Sequence, residues 1–114
     1  MQRFPRRWDK ITCINFLQRK IILNAIAYYE LNTSRLTDKQ YDELSRQLVE
    51  LQKDVDVHKT QYGYVMHDFD GTTGFDLYGR LNEKDKKYLM HIARHALGLE
   101  CAVINPKRKK GGLF

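Results

Sequence analysis

A helix start signal at residues 36–41 constrains the fold of this chain more than any other feature of its sequence. Thr37 is a favourable N-cap residue, and Gln40 three positions later completes a capping box. Asp38 falls in the first turn, where the helix dipole favours negative charge. Apolar residues then recur every three or four positions, at Tyr41, Leu44, Leu48, Leu51 and Val55. The pattern predicts an amphipathic helix that begins after Thr37.

A second helix is predicted upstream, over residues 10–31, from the same spacing of apolar residues. Its stripe consists of Ile14, Leu17, Ile21, Ala25 and Tyr28, and it is widened by Ile11, Phe16, Ile22, Leu23 and Ile26. A helix this apolar is buried on more than one side or offers a face to a partner. Because only residues 32–36 link the two helices, we expect them to pack as an antiparallel hairpin.

Residues 61–81 are rich in glycine, aromatic and β-forming residues, and this composition predicts a β-hairpin. The first strand would consist of Tyr62, Tyr64, Val65, Met66 and Phe69, and the second of Gly74, Phe75, Leu77 and Tyr78. The sequence from Asp70 to Thr73 contains an Asp-Gly pair, which is typical of a turn between two strands.

A third helix is expected over residues 82–97. Asn82 would cap it, Asp85 stands at the capping-box position, and Gly98 would end it. Its inner face would consist of Tyr88, Leu89, Ile92, Ala93, Ala96 and Leu97. Residues 101–104 read as a last short strand.

These elements predict an α+β fold that is mostly helical: an antiparallel helical hairpin, a small antiparallel β-hairpin and a third helix. A chain of 114 residues is expected to form a single domain. Within residues 1–114 we assign a basic N-terminal arm to 1–9, the helical hairpin to 10–55, the β-hairpin with the helix and short strand to 61–104, and a basic tail to 105–114.

The positive charge of the chain is concentrated at its ends. The formal net charge is +6. The clustered residues are Arg3, Arg6 and Arg7, with Trp8 beside them, and Lys107, Arg108, Lys109 and Lys110. Such clusters favour phosphate backbones or acidic protein surfaces, so we expect these residues to contact a partner or nucleic acid. The alternative is that they only solubilise the chain.

The remaining composition favours a cytoplasmic protein, in the cytoplasm of a host cell if the chain is encoded by a phage. No apolar run approaches the roughly 20 residues of a membrane span, and the N-terminus lacks the apolar core of a secretory signal. Cys13 and Cys101 lie in unlike segments and are expected to be free thiols, although a disulfide between them stays open.

Residues 20–53, which include AYYELNTSRLTDKQYDELSRQLVELQ, resemble the small N-terminal helical domain of NAD-dependent DNA ligases. The resemblance implies that nicotinamide mononucleotide (NMN) or NAD is bound by Tyr28, Tyr29, Asp38, Tyr41 and Asp42. Aromatic faces can stack on the cationic nicotinamide ring, and carboxylates can accept hydrogen bonds from ribose hydroxyls. The alternative is that these residues serve the hairpin itself.

Ligase activity is excluded, and we expect no enzyme. The Lys-x-Asp-Gly motif that would carry AMP is absent, and the chain is too short for the ligase's catalytic domains. Asp68-Phe69-Asp70-Gly71-Thr72 matches the first motif of haloacid-dehalogenase-type phosphatases, but too few residues follow it for that fold.

No metal and no obligatory cofactor are expected from the histidines. His91 and His95 stand one helical turn apart, which suits a metal. A third ligand is not assured. His58 and His67 are candidates only because they are histidines, and the sequence does not indicate that they lie near His91 and His95.

We therefore expect a small non-catalytic binding protein that acts on nucleic-acid machinery, such as a phage or mobile-element inhibitor of a host nucleic-acid enzyme, for example an anti-CRISPR protein. Its partner would be a host protein or a protein–nucleic acid complex. One alternative is an NMN- or NAD-binding sensor or accessory module, and a second is direct binding to nucleic acid. The protein itself would be a monomer or a homodimer.

Overall fold

The protein is described by a computed structural model for residues 2–33, 36–71 and 76–96. The chain divides into two compact units, Met1–Leu81 and Asn82–Phe114. Across the described residues, no helix is long and apolar enough to cross a membrane.

The first unit is built on a hairpin of two long helices, α1 (Lys10–Glu30) and α2 (Asp38–Gln52). Lys10, at the start of α1, lies 3.5 Å from a carboxylate oxygen of Asp54, just beyond the end of α2. The helices are therefore antiparallel, as predicted. The predicted bounds of α1 are confirmed to within one residue.

Local capping explains where both helices begin. The carboxylate of Asp9 accepts a hydrogen bond from the backbone N–H of Thr12 at 2.8 Å, which also lowers the pKa of Asp9. At α2 the predicted capping box is present, because Thr37 and Gln40 each bond the other's backbone N–H. Each cap satisfies backbone donors that the first turn of a helix leaves without partners.

The core of the first unit follows the predicted stripe of α1 with two exceptions, of which one is Ile11, predicted to widen the stripe but 39% exposed. Its most buried members include Ile14, Leu17, Ile21, Ile22 and Ile26 from α1, with Leu44 and Leu48 from α2. Cys13 is a buried free thiol, and burial raises its pKa. Tyr28, predicted as the end of the stripe, is instead 54% exposed.

The predicted β-hairpin is wrong, because the described part of residues 61–81 contains short helices joined by turns and no strand. A 3-10 helix, Val57–Lys59, is followed by two single-turn helices, α3 (Gly63–Met66) and α4 (Leu77–Arg80). The described residues contain no strand, so the fold there is all-helical and not α+β. The second predicted strand and its turn fall partly on residues 72–75, outside the described residues.

Burial shows why the strand prediction failed. Tyr62, Val65 and Met66 are all buried, and they are spaced three and one apart, as on one face of a helical turn. The high β-propensity of tyrosine and valine is weaker than such tertiary packing.

A buried glutamine ties this segment to α1. Gln18 is fully buried, and its amide nitrogen donates to Gln52 Oε1 at 2.9 Å and to Thr60 Oγ1 at 2.8 Å. Its amide oxygen accepts the backbone N–H of Tyr62 at 3.1 Å. Nearby, Asn15 Oδ1 accepts the backbone N–H of Gln61 at 2.8 Å. Since both amide hydrogens and the oxygen of Gln18 are bonded, its burial carries no unsatisfied polar group.

The second unit contains α5 (Glu83–Ala96). The predicted cap is confirmed, because the Asn82 side chain accepts the backbone N–H of Asp85 at 2.7 Å. The predicted inner face is only partly correct, since Leu89 and Ala93 are buried whereas Tyr88 is 52% exposed and Ala96 is exposed. The predicted last strand, Leu97, Gly98 and Cys101 lie outside the described residues.

Candidate functional site

The residues that the ligase resemblance singles out lie at the linked end of the α1–α2 hairpin. Tyr28 and Tyr29 end α1, and both side chains are substantially exposed. Their rings pack edge to face, with centroids 4.8 Å apart. Together with Asn32 and Thr33 they line an open recess on the surface. Asn32 has a φ of 53°, a left-handed conformation that asparagine tolerates better than most residues.

Tyr41, in the first turns of α2, lies near Tyr29 and next to Asp42. The pKa of Tyr41 is raised to about 12, mainly by burial and in smaller part by the neighbouring Tyr29 and Asp42. The Ser45 hydroxyl lies close enough to oppose that rise, yet within the described part of the chain neither hydroxyl has a partner with proper hydrogen-bond geometry. Tyr41 is therefore a half-buried neutral phenol at the edge of the hairpin.

The two carboxylates of the predicted site are both on the surface. Asp38 is the first residue of α2 and is exposed, where it complements the helix dipole. Asp42 is exposed one turn later and lies near Tyr41. The structure thus brings Tyr29, Tyr41 and Asp42 together, whereas it gives Asp38 only its place at the helix start.

The basic N-terminal arm is the second candidate site, and it is docked along α1. Gln2 and Gln47 of α2 form a reciprocal pair: Gln2 N donates to Gln47 Oε1 at 3.0 Å, and Gln47 Nε2 donates to Gln2 O at 2.9 Å. Lys20 of α1 donates to the Gln2 side chain at 2.8 Å. Because Asp9 caps the start of α1 while Gln2 lies beside Lys20, the arm runs back along roughly 15 Å of that helix.

Three aromatic rings fix the middle of the arm. Phe4 and Trp8 pack on each other and on Phe16 of α1, with ring centroids between 5.7 and 6.0 Å apart. The ammonium group of Lys20 lies 5.8 Å from the Phe16 ring centroid, within reach of a cation–π interaction. A turn closes the arm, since Trp8 N donates to Pro5 O at 3.1 Å.

The docked arm holds its arginines outward. Arg3, Arg6 and Arg7 are all exposed, whereas Phe4 and Trp8 between and beside them are half-buried. Trp8, which was predicted to contact a partner, packs on Phe4 and Phe16 and anchors the arm. Sequence reasoning did not identify Gln2, Gln47, Phe16 or Lys20 as parts of this site. Only Phe16, an aromatic residue at the edge of the apolar stripe, gave any signal.

The other predicted contact residues, Lys107, Arg108, Lys109 and Lys110, lie outside the described residues.

Asp68, the first residue of the phosphatase-like motif, forms a salt bridge with Arg80. Arg80 of α4 donates to the carboxylate of Asp68 and to the backbone oxygen of Val65, the latter at 3.1 Å, and lies 3.1 Å from the carboxylate of Asp76. The hydrogen bond from Arg80 lowers the pKa of Asp68. Asp68 therefore fastens α3 to α4.

The histidines form two stacked pairs. His58 and His67 have ring centroids 4.7 Å apart, and His91 and His95 have centroids 6.2 Å apart. Among the described residues, no group of three or more histidines, cysteines or carboxylates is placed to hold a metal ion.

Comparison of the chain with protein-family models, with curated proteins and with solved structures gives no match.

Proposed function

We propose that this chain is a non-catalytic binding protein that acts on nucleic-acid machinery by attaching to the nucleic acid through Arg3, Arg6 and Arg7. The observation that carries the proposal is the docked arm, which presents three exposed arginines on a segment fixed at both ends. Arginine suits phosphate oxygens because its planar guanidinium donates two parallel hydrogen bonds.

Docking of the arm lowers the entropic cost of binding. A flexible tail would have to be ordered when it meets a partner, and that ordering opposes association. Here Gln47, Phe16 and Lys20 have already fixed the backbone that carries the arginines. The arm is therefore preorganised for a ligand with closely spaced negative charges.

The sign of the charge also supports contact with nucleic acid. An inhibitor that imitates nucleic acid would enter the basic channel of an enzyme, and a net charge of +6 opposes that entry. A basic inhibitor of a host nucleic-acid enzyme would instead cover the nucleic acid that the enzyme needs. This is the form of the mobile-element inhibitor, including an anti-CRISPR protein, that we propose.

Fluorescence anisotropy with a labelled duplex DNA of about 20 base pairs tests the proposal. The triple variant Arg3→Ala/Arg6→Ala/Arg7→Ala should bind at least about tenfold more weakly, and its salt slope should become shallower by about 2 to 3. The control removes three exposed lysines elsewhere in the unit, Lys39→Ala/Lys53→Ala/Lys59→Ala.

Two outcomes would contradict the proposal. One is no binding of the wild-type chain to nucleic acid at low salt. The other is an equal loss in the arm variant and the lysine control, because that would mean that net charge matters and the arm does not.

A second candidate function is binding of NMN or NAD at the recess beside Tyr28 and Tyr29. It is supported by the exposed Tyr28 and Tyr29 and by the proximity of Tyr29 to Tyr41, which Asp42 follows; these are four of the five residues that the ligase resemblance implies. An aromatic face and a nearby carboxylate suit a cationic ring attached to a ribose.

Isothermal titration with NMN and with NAD tests this candidate. We expect saturable heat that disappears in Tyr29→Ala and in Asp42→Ala but persists in the control Tyr88→Ala, which removes an equally exposed tyrosine of the other unit. No heat at millimolar ligand would reject nucleotide binding and leave the tyrosines as part of the hairpin surface.

A further inference from the structure

Helix α5 carries a continuous basic face. Five of its exposed side chains are separated by three, one, three and four residues, so they fall within an arc of about 100° on one side of the helix, while the exposed Glu83 and Ala96 lie outside that arc. The residues of this face, called here the α5 basic face, are Lys84, Lys87, Tyr88, His91 and His95. The buried residues Leu89 and Ala93 lie on the opposite side.

The α5 basic face contains no carboxylate. The acidic residues of the helix, Glu83 and Asp85, are in its first turn and lie off this arc. Glu83 is directed to Lys86, whose ammonium lies 3.7 Å from its carboxylate. Glu83 also stands four residues before Lys87, so a negative charge borders this face, but the face itself carries only positive and neutral side chains.

The polar chemistry of the face suits nucleic acid. Lys84 and Lys87 lie one turn apart and can each reach a phosphate or a guanine edge. Tyr88 is 52% exposed, so its ring and hydroxyl are both available to a partner. His91 and His95 continue the same line toward the end of the helix, with their rings stacked.

We propose that the α5 basic face is a second nucleic-acid contact surface and that it enters the major groove of double-stranded DNA. The inference rests on the proposed function of the arm and names the ligand more closely. A helix of 14 residues is about 21 Å long, and the major groove of B-form DNA, roughly 12 Å wide, admits an α-helix. The deep and narrow major groove of A-form RNA does not admit one.

The arm and α5 belong to different units of the chain, so their charges can be substituted separately. Two contacts on one duplex bind more tightly than either contact alone, because the second contact forms within the complex. When both sites hold the same DNA, a variant that lacks the charges of both sites is therefore expected to bind more weakly than a variant that lacks those of either site.

The test uses the full chain with three labelled probes of one sequence, about 20 nucleotides long: duplex DNA, single-stranded DNA and duplex RNA. The variant Lys84→Gln/Lys87→Gln keeps helix-forming side chains and removes two charges. It should bind duplex DNA about tenfold more weakly, with a salt slope shallower by about 2. The control Lys39→Gln/Lys53→Gln removes two exposed lysines from the other unit.

A second readout reports the groove directly. Guanine N7 faces the major groove, so wild-type chain should protect it from methylation by dimethyl sulfate. The arm variant should retain part of this protection at saturating protein concentration, whereas Lys84→Gln/Lys87→Gln should lose it.

The outcomes separate the two proposals. If wild-type chain binds duplex DNA and the arm variant weakens it while Lys84→Gln/Lys87→Gln does not, the α5 inference is wrong and the proposed function stands. Equal binding to the three probes, or no protection of N7, would likewise overturn groove entry. If no probe binds at low salt, the proposed function itself fails.

Discussion

The α1–α2 hairpin and the segment of residues 57–81 are both helical, but different interactions hold them. In the hairpin, each helix has a side-chain cap and a long apolar stripe, so the signals that form its helices lie within each helix's own sequence, and packing of the stripes then stabilises them. In the segment, α3 and α4 have four residues each and no side-chain cap. Helices this short are not stable alone in water.

The segment therefore depends on contacts with residues far away in sequence. Gln18 of α1 holds its start, and Arg80 fastens α3 to α4. Gly63 allows the backbone of α3 to lie against the 3-10 helix. The comparison indicates that substitutions at these few positions should cost more than the loss of a helix cap in the hairpin.

The largest effect is expected from Gly63→Ala. A Cβ atom at this position would lie 1.8 Å from the backbone oxygen of Val57, so the two backbones must separate. We expect the free energy of unfolding to fall by about 3 kcal/mol or more, measured by urea denaturation. Gly79→Ala is the matched control, because a Cβ there meets nothing within 4 Å and should be neutral or slightly stabilising.

Gln18→Leu should have the next largest effect. Leucine fits the apolar surroundings of α1, but it leaves the Tyr62 N–H without its acceptor and Gln52 without its donor. Unsatisfied buried groups should lower the free energy of unfolding by about 2 to 3 kcal/mol, as measured by urea denaturation. A stability equal to wild type would mean that the buried amide network does not hold the segment.

Thr37→Ala tests the hairpin side of the comparison. It removes the acceptor for the Gln40 N–H and breaks the capping box, at an expected cost of about 1 kcal/mol. Thermal unfolding followed by circular dichroism measures the change. A cost above that of Gln18→Leu would reverse the contrast between local and distant stabilisation.

The smallest effect at neutral pH is expected from Tyr41→Phe, which removes a buried hydroxyl that has no hydrogen-bond partner among the described residues. The change should be neutral or slightly stabilising at pH 7. At alkaline pH the variant should gain on wild type. The pKa of Tyr41 is raised to about 12 in the folded chain from an ordinary value of 10.0, so its contribution is full below pH 10 and is lost as the pH rises toward 12.

Urea denaturation of both proteins at about pH 9 and about pH 11 measures this difference. Wild-type chain should lose more stability than Tyr41→Phe over that interval. Parallel losses in the two proteins would show that Tyr41 is no more buried in the folded chain than in the unfolded one.

The same contrast explains how far the sequence predicts the structure. The caps at Thr37 and Asn82 and the stripe of α1 are local signals, and the three long helices were predicted from them. The strands predicted at residues 61–81 rested on β-propensity, which does not register that Gln18 and Asn15 accept backbone donors of this segment. Such contacts join residues more than 40 positions apart, and no local sequence pattern predicts them.

The candidate sites also contain some features that could be predicted from the sequence and some that could not. The exposed arginines of the arm were predicted as contact residues from their clustering alone. That the arm is docked could not be predicted, because it depends on Gln47 and Lys20, whose types carry no signal for such a role. The α5 basic face also went unpredicted, since Tyr88 was expected on the inner side of the helix.

The central claim is that docking of the arm, and not its charge alone, makes it a binding surface. The double variant Phe4→Ala/Gln47→Ala tests this most directly, because it removes two anchors of the arm and leaves every charge in place. Emission of Trp8, the only tryptophan, reports release of the arm. The control Tyr28→Ala/Gln61→Ala removes an exposed aromatic ring and an exposed amide elsewhere in the unit.

The deciding measurement is the dissociation constant of each protein for the labelled DNA duplex, by fluorescence anisotropy at fixed salt. We expect the released arm to bind about tenfold more weakly while the control binds like wild type. Wild-type affinity in a variant whose Trp8 emission shows the arm to be released would contradict it.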